Sequence, residues 1–212
     1  MNLEVVRDVP DAFAHLVAGV APQSIVLSGG DTAQRCYQRL AHTPGIDWSG
    51  IDVYFGDERW VGVHDPASNE GMARDALLND VAPRAVHSMR DAGDNIVGAA
   101  KTYDELLRSA PPLDLVHLGL GPDGHTASLF PGSPALAEGE HWVVATGDEA
   151  HAYPRLTMTY PAIASARLVV ITVMGAAKRA ALAQVLAGDD LPATHVRAAR
   201  AVWLADRDAA PA

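Results

Sequence analysis

Seven short runs rich in Val, Ile and Leu recur along the chain, and they constrain its fold more than any other feature. Several contain almost no polar residues, which is typical of parallel strands covered on both faces. The predicted strands are residues 3–7, 24–27, 51–55, 113–120, 142–145, 168–173 and 201–204. The predicted helices between them are residues 10–20, 32–40, 69–78, 96–109 and 178–186. This alternation predicts an α/β fold: a doubly wound, mostly parallel sheet with helices on both faces.

The length and composition indicate one globular domain spanning residues 1–212. The net charge of −10, from 16 basic and 26 acidic residues, argues against a nucleic-acid surface. The longest apolar run, residues 168–177, is too short to span a bilayer, and no secretory signal is visible. Cys36 is the only cysteine, which excludes an intrachain disulfide. We therefore expect a cytoplasmic monomer with neither membrane nor nucleic-acid partners.

Three predicted loops carry glycine or charge directly after a strand. The first reads Ser28-Gly29-Gly30-Asp31-Thr32 and the second reads Asp57-Glu58-Arg59. The third runs from residue 121 to residue 132 and reads Gly-Pro-Asp-Gly-His-Thr-Ala-Ser-Leu-Phe-Pro-Gly. Open α/β sheets bind their ligands at the carboxyl ends of the strands, so these loops predict a ligand site there.

The glycine loop allows two interpretations. In the first, a helix that starts near Thr32 directs its backbone N–H groups and its dipole at a bound anion. In the second, the loop is a tight turn closed by a Ser or Asp cap. The residues of this loop alone favour neither interpretation.

His125 is the strongest catalytic candidate, because histidine titrates near neutral pH and suits proton transfer. Asp123 or Asp57 would set its tautomer, and Arg59 would neutralise a developing anion or keep Asp57 ionised. Backbone N–H groups from Gly121 to His125 are candidates for stabilising an oxyanion. The structural alternatives are a histidine that only hydrogen-bonds its loop and an Asp57–Arg59 ion pair that only fixes its own.

Residues 119–124 satisfy the G-x-G-x-x-G pattern of dinucleotide-binding loops. That pattern also requires a helix directly afterwards, and Pro131-Gly132 would end such a helix within about two turns. We interpret the match as chance and expect no nucleotide cofactor. No cluster of ligand residues demands a metal.

Five motifs follow one another along nearly the whole chain. They are Ser28-Gly29-Gly30; Asp57-Glu58-Arg59 followed by Ser68-Asn69-Glu70-Gly71-Met72-Ala73-Arg74-Asp75-Ala76-Leu77; the unbroken run from Asp123 to Gly132; Arg155-Leu156-Thr157-Met158-Thr159; and Gly175-Ala176-Ala177-Lys178. No single motif is decisive, but the ordered set is highly specific. In this order the motifs resemble the 6-phosphogluconolactonase family.

The resemblance implies an enzyme, a carboxylic ester hydrolase that opens 6-phospho-D-glucono-1,5-lactone to 6-phospho-D-gluconate in the oxidative pentose phosphate pathway. It implies His125 as acid and base for the attack of water on the lactone carbonyl, assisted by Asp57 and Asp123. A carboxylate acting through water stays open as an alternative base. The only partner implied is the phosphosugar lactone, with no metal or cofactor. The implied substrate-binding residues are Ser28, Gly29, Gly30, Asp31, Thr32, Arg59, Gly124, Arg155 and Lys178.

Two positions depart from the family pattern. Asp31-Thr32-Ala33 stand where a Ser and then a Pro are common, and residues 151–154, His-Ala-Tyr-Pro, lack a basic residue common before Arg155. The irregular stretch 131–160 is either a flap over the site or a plain surface excursion.

Two rival functions follow from the same motifs. Glucosamine-6-phosphate deaminases or isomerases share the fold and an Asp-Gly-His loop, but typically carry a glutamate soon after the histidine. Here the nearest glutamate, Glu138, lies beyond the loop. The second rival is a non-catalytic phosphosugar sensor, which predicts binding without turnover.

Overall fold

The computed structural model describes residues 2–91, 95–147 and 152–211. Its strands are β1 (Asn2–Val5), β2 (Ser24–Leu27), β3 (Asp52–Phe55), β4 (Asp57–Arg59), β5 (Ala85–Val86), β6 (Leu115–Gly119), β7 (Val143–Thr146), β8 (Arg155–Met158), β9 (Leu168–Val173) and β10 (Ala201–Ala205). Its α-helices are α1 (Val9–Val20), α2 (Asp31–Ala41), α3 (Asn69–Ala73), α4 (Ile96–Ser109), α5 (Tyr160–Ala164) and α6 (Arg179–Ala187).

The larger sheet has seven strands in the order β1-β10-β9-β6-β2-β3-β5, and every neighbouring pair is parallel. All six side chains of β9 are buried, as expected for a strand in the middle of a covered parallel sheet. Helix α1 packs its apolar face, Phe13 and Val17, into the same core, and the carboxylate of Asp8 caps its first turn. The predicted α/β architecture, a mostly parallel sheet with helices, is confirmed.

The direction of winding reverses between β2 and β6. From β2 the chain adds β3 and β5 on one side, whereas β6, β9 and β10 lie on the other. Strands β2 and β6 are hydrogen-bonded neighbours, with Ile25 opposite Leu115. The glycine loop after β2 and the His125 loop after β6 therefore leave the sheet side by side, where such sheets form a ligand crevice.

A second sheet corrects the prediction for Asp57-Glu58-Arg59. These residues form strand β4 and not a loop; β4 pairs antiparallel with β8, which in turn pairs with β7. Three consecutive charged residues show no alternation of apolar and polar side chains, so the sequence gives no signal for a strand at β4. Because side chains alternate along a strand, Asp57 and Arg59 share one face and Glu58 faces the other way.

The other predicted elements lie within a few residues of those observed. Residues 69–78 form α3 and then a π-helical turn, Arg74–Leu78. Strands β5 and β8 and the short α5 were missed, because each is short and none contains a run of consecutive Val, Ile or Leu residues. The stretch 131–160 contains a 3₁₀ turn (Pro134–Ala137), β7 and β8, while its residues 148–151 lie outside the described part. No helix in the described ranges is both long and apolar enough to cross a membrane.

Candidate active site

A cleft of about 580 Å³ opens at the winding reversal. Loops after β2, β6 and β9 form one wall, and β4 and β8 of the second sheet form the other. Most of the predicted site residues line this cleft: Ser28, Gly29, Gly30, Asp31, Thr32, Asp57, Arg59, His125, Arg155 and Lys178. Asp123 and Gly124 do not line it but shape the His125 loop from behind.

The glycine loop is built for close approach to a ligand. A side chain on Gly29 would place its Cβ 1.9 Å from Oδ1 of Asn69, so only glycine fits there. Gly30 has φ +93°, in the left-handed region that glycine adopts without strain, and it leads directly into α2. The first N–H groups of a helix lack acceptors within the helix, so the start of α2 supplies donors and a favourable dipole for an anion.

The N–H of Ser28 faces inward and donates to the Tyr37 hydroxyl at 2.6 Å. That hydroxyl also lies 2.9 Å from Nδ1 of His117, whose Nε2 is 2.9 Å from the hydroxyl of Thr172. All four side chains are buried, and Ser28 and Thr172 also line the cleft. A buried polar chain therefore supports the glycine loop from beneath, and the Ser28 N–H is not one of the donors facing a ligand.

Two arginines stand directly opposite each other across the second sheet. Arg59 of β4 pairs in register with Arg155 of β8, and the Nε atom of each is buried without a hydrogen-bond partner among the described residues. Burial, and then the neighbouring charge of Arg59, lower the pKa of Arg155, although Asp57 and Glu58 oppose the shift. Like charges placed opposite each other are destabilising, so this arrangement favours an anion between or beside them.

Lys178 closes the cleft from the end of β9. It ends the 3₁₀ turn Ala176–Lys178, which follows Gly175, a residue with φ +88°. Burial lowers the pKa of the Lys178 ammonium, while the carboxylates of Asp123 and Asp31 oppose that shift. A partly desolvated ammonium at this position is a third cation for an anionic ligand.

His125 and Asp123 form a tight pair. Nδ1 of His125 lies 2.5 Å from Oδ1 of Asp123, and the imidazole packs against the Phe130 ring at a centroid distance of 4.6 Å. A carboxylate only accepts hydrogen bonds, so in the neutral imidazole Nδ1 carries the proton and Nε2 keeps its lone pair. Burial alone would raise the pKa of Asp123, but His125 outweighs burial and holds that pKa below its ordinary value. Gly121 is required beneath the pair, because a Cβ there would lie 2.1 Å from Nδ1.

Asp57 is held by other partners. Its Oδ2 accepts from the Ser128 hydroxyl at 2.6 Å, and its Oδ1 accepts from Nδ2 of Asn69 at 3.1 Å. Arg59 donates to the carbonyl of Ala67 and to Oδ1 of Asn69, so its recorded hydrogen bonds do not include Asp57. Of the two acids considered for His125, it is Asp123 that contacts the imidazole.

Three of the four loop N–H groups expected to stabilise an oxyanion are engaged elsewhere. Gly121 N–H donates to the carbonyl of His125, and Gly124 N–H donates to the carbonyl of Gly121. The N–H of His125 donates to Oδ1 of Asp123. These bonds shape the loop, so cleft cations are the better placed groups for a developing negative charge.

Two site residues were missed by sequence reasoning, Asn69 and Ser128. Both stand inside motifs that the sequence displays, but spacing alone does not reveal that their side chains meet Asp57. The G-x-G-x-x-G match at 119–124 is followed by turns and not by a helix, as expected for a chance match. Across the described ranges, no group of three or more His, Cys, Asp or Glu side chains is arranged to hold a metal.

This chain is similar to known proteins in both sequence and fold. The family described as glucosamine-6-phosphate isomerases/6-phosphogluconolactonase matches residues 2–204. A 6-phosphogluconolactonase of Synechocystis is 39% identical over 201 residues, covering 88% of this chain and 82% of the relative. The crystal structure of 6-phosphogluconolactonase from Thermotoga maritima superposes with a TM-score of 0.87 at 26% identity, covering 97% of this chain and 99% of the other.

The fold is shared more widely than the sequence. A monomeric glucosamine-6-phosphate deaminase superposes with a TM-score of 0.85 at 21% identity, covering 99% of this chain and 98% of the other, and at that identity the likeness shows the fold alone. The match over residues 2–204 and the 39% identity over most of both chains go further than the fold. The chain belongs to the glucosamine-6-phosphate isomerase/6-phosphogluconolactonase family.

Proposed function

We propose that this chain hydrolyses 6-phospho-D-glucono-1,5-lactone to 6-phospho-D-gluconate, a step of the oxidative pentose phosphate pathway. One observation carries the proposal: the His125–Asp123 pair stands at a cleft that is also lined by Arg59, Arg155 and Lys178. A histidine base in a cleft with three cations suits the hydrolysis of an anionic lactone. Family membership and the names of the relatives support the same reaction.

His125 acts as base and then as acid in this proposal. Nε2 takes a proton from water as the water oxygen bonds to C1 of the lactone, and the carbonyl electrons move onto oxygen. When the tetrahedral intermediate collapses, the bond between C1 and the ring oxygen breaks. The ring oxygen takes the proton from Nε2, and the carboxylic acid formed then ionises. Asp123 favours this cycle because its carboxylate stabilises the imidazolium formed in the middle.

The cations divide between the two ends of the substrate. The start of α2, Arg155 and Lys178 hold the phosphate, with Arg155 offering two parallel donors and Lys178 a point charge. Arg59 faces the developing oxyanion, since three of the four N–H groups between residues 121 and 125 are engaged. Asp57 orients the attacking water or a sugar hydroxyl.

The glutamate that glucosamine-6-phosphate deaminases typically carry soon after the loop histidine is missing from this chain. Residues 126–131 contain no acid, and Glu138 is not among the residues that line the cleft. The Glu138 carboxylate instead accepts from the N–H groups of Glu140 and His141. Those donors also hold the pKa of Glu138 low, at about 2, so it is ionised and engaged.

The deciding experiment is hydrolysis of freshly generated lactone, followed through 6-phosphogluconate dehydrogenase against a reaction without enzyme. Wild-type protein should accelerate ring opening, and His125→Ala should lose about 10²- to 10⁴-fold in kcat, the range for a general acid–base group. His15→Ala is the matched control, because His15 also contacts a carboxylate, that of Asp11, but lies exposed on α1.

Each outcome selects one function. Acceleration lost only in His125→Ala supports hydrolysis with His125 at its centre. Ammonia release from glucosamine 6-phosphate without lactone hydrolysis would replace the proposal with the deaminase. Tight binding of 6-phosphogluconate with neither lactone hydrolysis nor ammonia release would support the non-catalytic phosphosugar sensor.

A further inference from the structure

A single buried amide joins the acid and the cation of strand β4. The side-chain Nδ2 of Asn69 donates to the backbone carbonyl of Asp57 at 2.9 Å and to its carboxylate Oδ1 at 3.1 Å. Its Oδ1 accepts from Nη1 of Arg59 at 2.6 Å. Asn69 is 1% exposed, so water does not compete for these bonds. The spacing between the Asp57 carboxylate and the Arg59 guanidinium is therefore set by one side chain.

A second neutral donor holds the other oxygen of Asp57. The hydroxyl of Ser128 lies 2.6 Å from Oδ2 of Asp57, and Ser128 is fully buried. Its backbone N–H donates to the hydroxyl of Thr157, the residue opposite Asp57 on β8. Because Ser128 belongs to the His125 loop, this bond ties the two catalytic walls of the cleft together.

The Asn69 amide is itself immobilised. The backbone N–H of Asn69 donates to Oε1 of the buried Glu58 at 2.7 Å. The Glu58 carboxylate also accepts from the N–H of Glu70 and the hydroxyl of Ser68. On its other side the amide lies against the backbone of Gly29, where not even a methyl group would fit. The Glu58 carboxylate therefore binds the first N–H groups of helix α3, and these bonds hold Asn69 in one orientation.

We infer that Asn69 and Ser128 are positioning residues: together they clamp the Asp57 carboxylate, and Asn69 also aligns Arg59. This inference rests on the proposed lactone hydrolysis. It gives Asp57 a role separate from His125, whose tautomer Asp123 sets. A carboxylate held from both sides by neutral donors stays in place to orient water or a sugar hydroxyl, and that preorganisation is lost when either donor is removed.

The test is a double-mutant cycle on kcat. Asn69→Ala and Ser128→Ala should each lower kcat by about ten- to a hundredfold, the range for removing a hydrogen bond to a charged group. The KM should change less than about threefold, because the phosphate ligands stay in place. In an Asp57→Ala background, where there is no carboxylate to position, the Ser128→Ala change should cost less than about twofold in kcat, and Asn69→Ala only what it loses through Arg59.

The inference would be overturned if Asn69→Ala and Ser128→Ala lowered kcat by the same factors in the Asp57→Ala variant as in the wild type. A generally weakened fold would reduce activity in this way, whether or not Asp57 is present. Ser128→Ala does not touch Arg59 and deletes only one oxygen atom, so it decides the question should Asn69→Ala fail to fold. Asn2→Ala on edge strand β1 and Ser109→Ala at the end of α4 are matched exposed controls that should keep wild-type kcat. An inactive wild type would reject the proposed function, whereas an active wild type with additive losses rejects only the clamp.

Discussion

The contact between Asp123 and His125 sets which imidazole nitrogen can accept a proton. With Nδ1 bonded to the carboxylate at 2.5 Å, the nitrogen left to accept a proton in the proposed reaction is Nε2. The same chemical pair occurs elsewhere, since Nε2 of His195 lies 2.6 Å from Oδ1 of Asp190, yet neither of those residues lines the cleft. What distinguishes the first pair is its place beside the cations, so a histidine–carboxylate contact by itself does not identify a catalytic residue.

Replacing Asp123 with Asn should separate charge from geometry. An amide oxygen can still accept from Nδ1, but it no longer stabilises the imidazolium, so kcat for lactone opening should fall roughly 10²-fold with little change in KM. Initial rates in the dehydrogenase-coupled assay measure this. Asp190→Asn makes the same change in the His195 pair and should leave kcat unaltered. Equal effects of the two substitutions would remove Asp123 from the mechanism.

At the scale of elements, strand β4 contributes Asp57 and Arg59 to the second wall of the cleft. Its alternation sends Asp57 and Arg59 to the cleft and Glu58 to the start of α3, so three consecutive charged residues serve two faces. Antiparallel pairing with β8 then sets Arg155 opposite Arg59. Without an anion this juxtaposition costs free energy, which we expect the phosphate of a bound substrate to offset.

Arg155→Gln should therefore weaken binding and spare stability. The dissociation constant for 6-phosphogluconate should rise about ten- to a hundredfold, because a charge-assisted contact to phosphate is lost. The free energy of unfolding of the free protein should be unchanged or slightly higher, because a buried, like-charged neighbour of Arg59 is removed. Calorimetric titration and urea unfolding measure the two effects. Arg167→Gln, exposed and paired with Asp114 at the far end of β9, is the matched control. A large loss of stability in Arg155→Gln would mean that Arg155 supports the sheet and not the ligand.

Apart from β5, the larger sheet was predictable because most of its strands are apolar runs, such as Leu168–Val173, whose burial favours a covered parallel sheet. The glycine loop and the His125 loop were predictable because they follow those runs. Strand β4 was not, since pairing with β8 across about a hundred residues of chain, not local pattern, makes Asp57-Glu58-Arg59 extended. Asn69 and Ser128 were missed for the same reason: their partner Asp57 is distant in sequence from Ser128 and lies on another element from Asn69.

For the whole molecule, the distribution of charge brings cations together at the cleft of a strongly acidic chain. The net charge is −10, yet Arg59, Arg155 and Lys178 converge on one cleft. Desolvation of Arg155 and Lys178 strengthens their attraction for a ligand charge compared with exposed cations. The net charge of the chain opposes association of an anionic ligand, so the proposed binding depends on direct contacts with these cations.

The buried His117 links the pH of the solution to the stability of the whole fold. Burial lowers the pKa of its imidazole from about 6.5 to about 3, and it packs on Phe13 between Tyr37 and Thr172. The unfolded chain binds a proton at this residue below pH 6.5 while the folded chain does not. The unfolding free energy therefore contains a contribution from His117 that is constant above pH 6.5 and falls as the pH drops toward 3, by about 1.4 kcal/mol for each pH unit.

His117→Gln should remove this contribution: the difference in free energy of unfolding between variant and wild type should shift by nearly that amount between pH 6 and pH 5 in urea titrations. His64→Gln, at an exposed position, should leave the wild-type slope essentially unchanged. Parallel slopes for His117→Gln and wild type would show that the buried imidazole is protonated in the folded state, and the hydrogen bonds that hold the glycine loop through Tyr37 would then need reassignment.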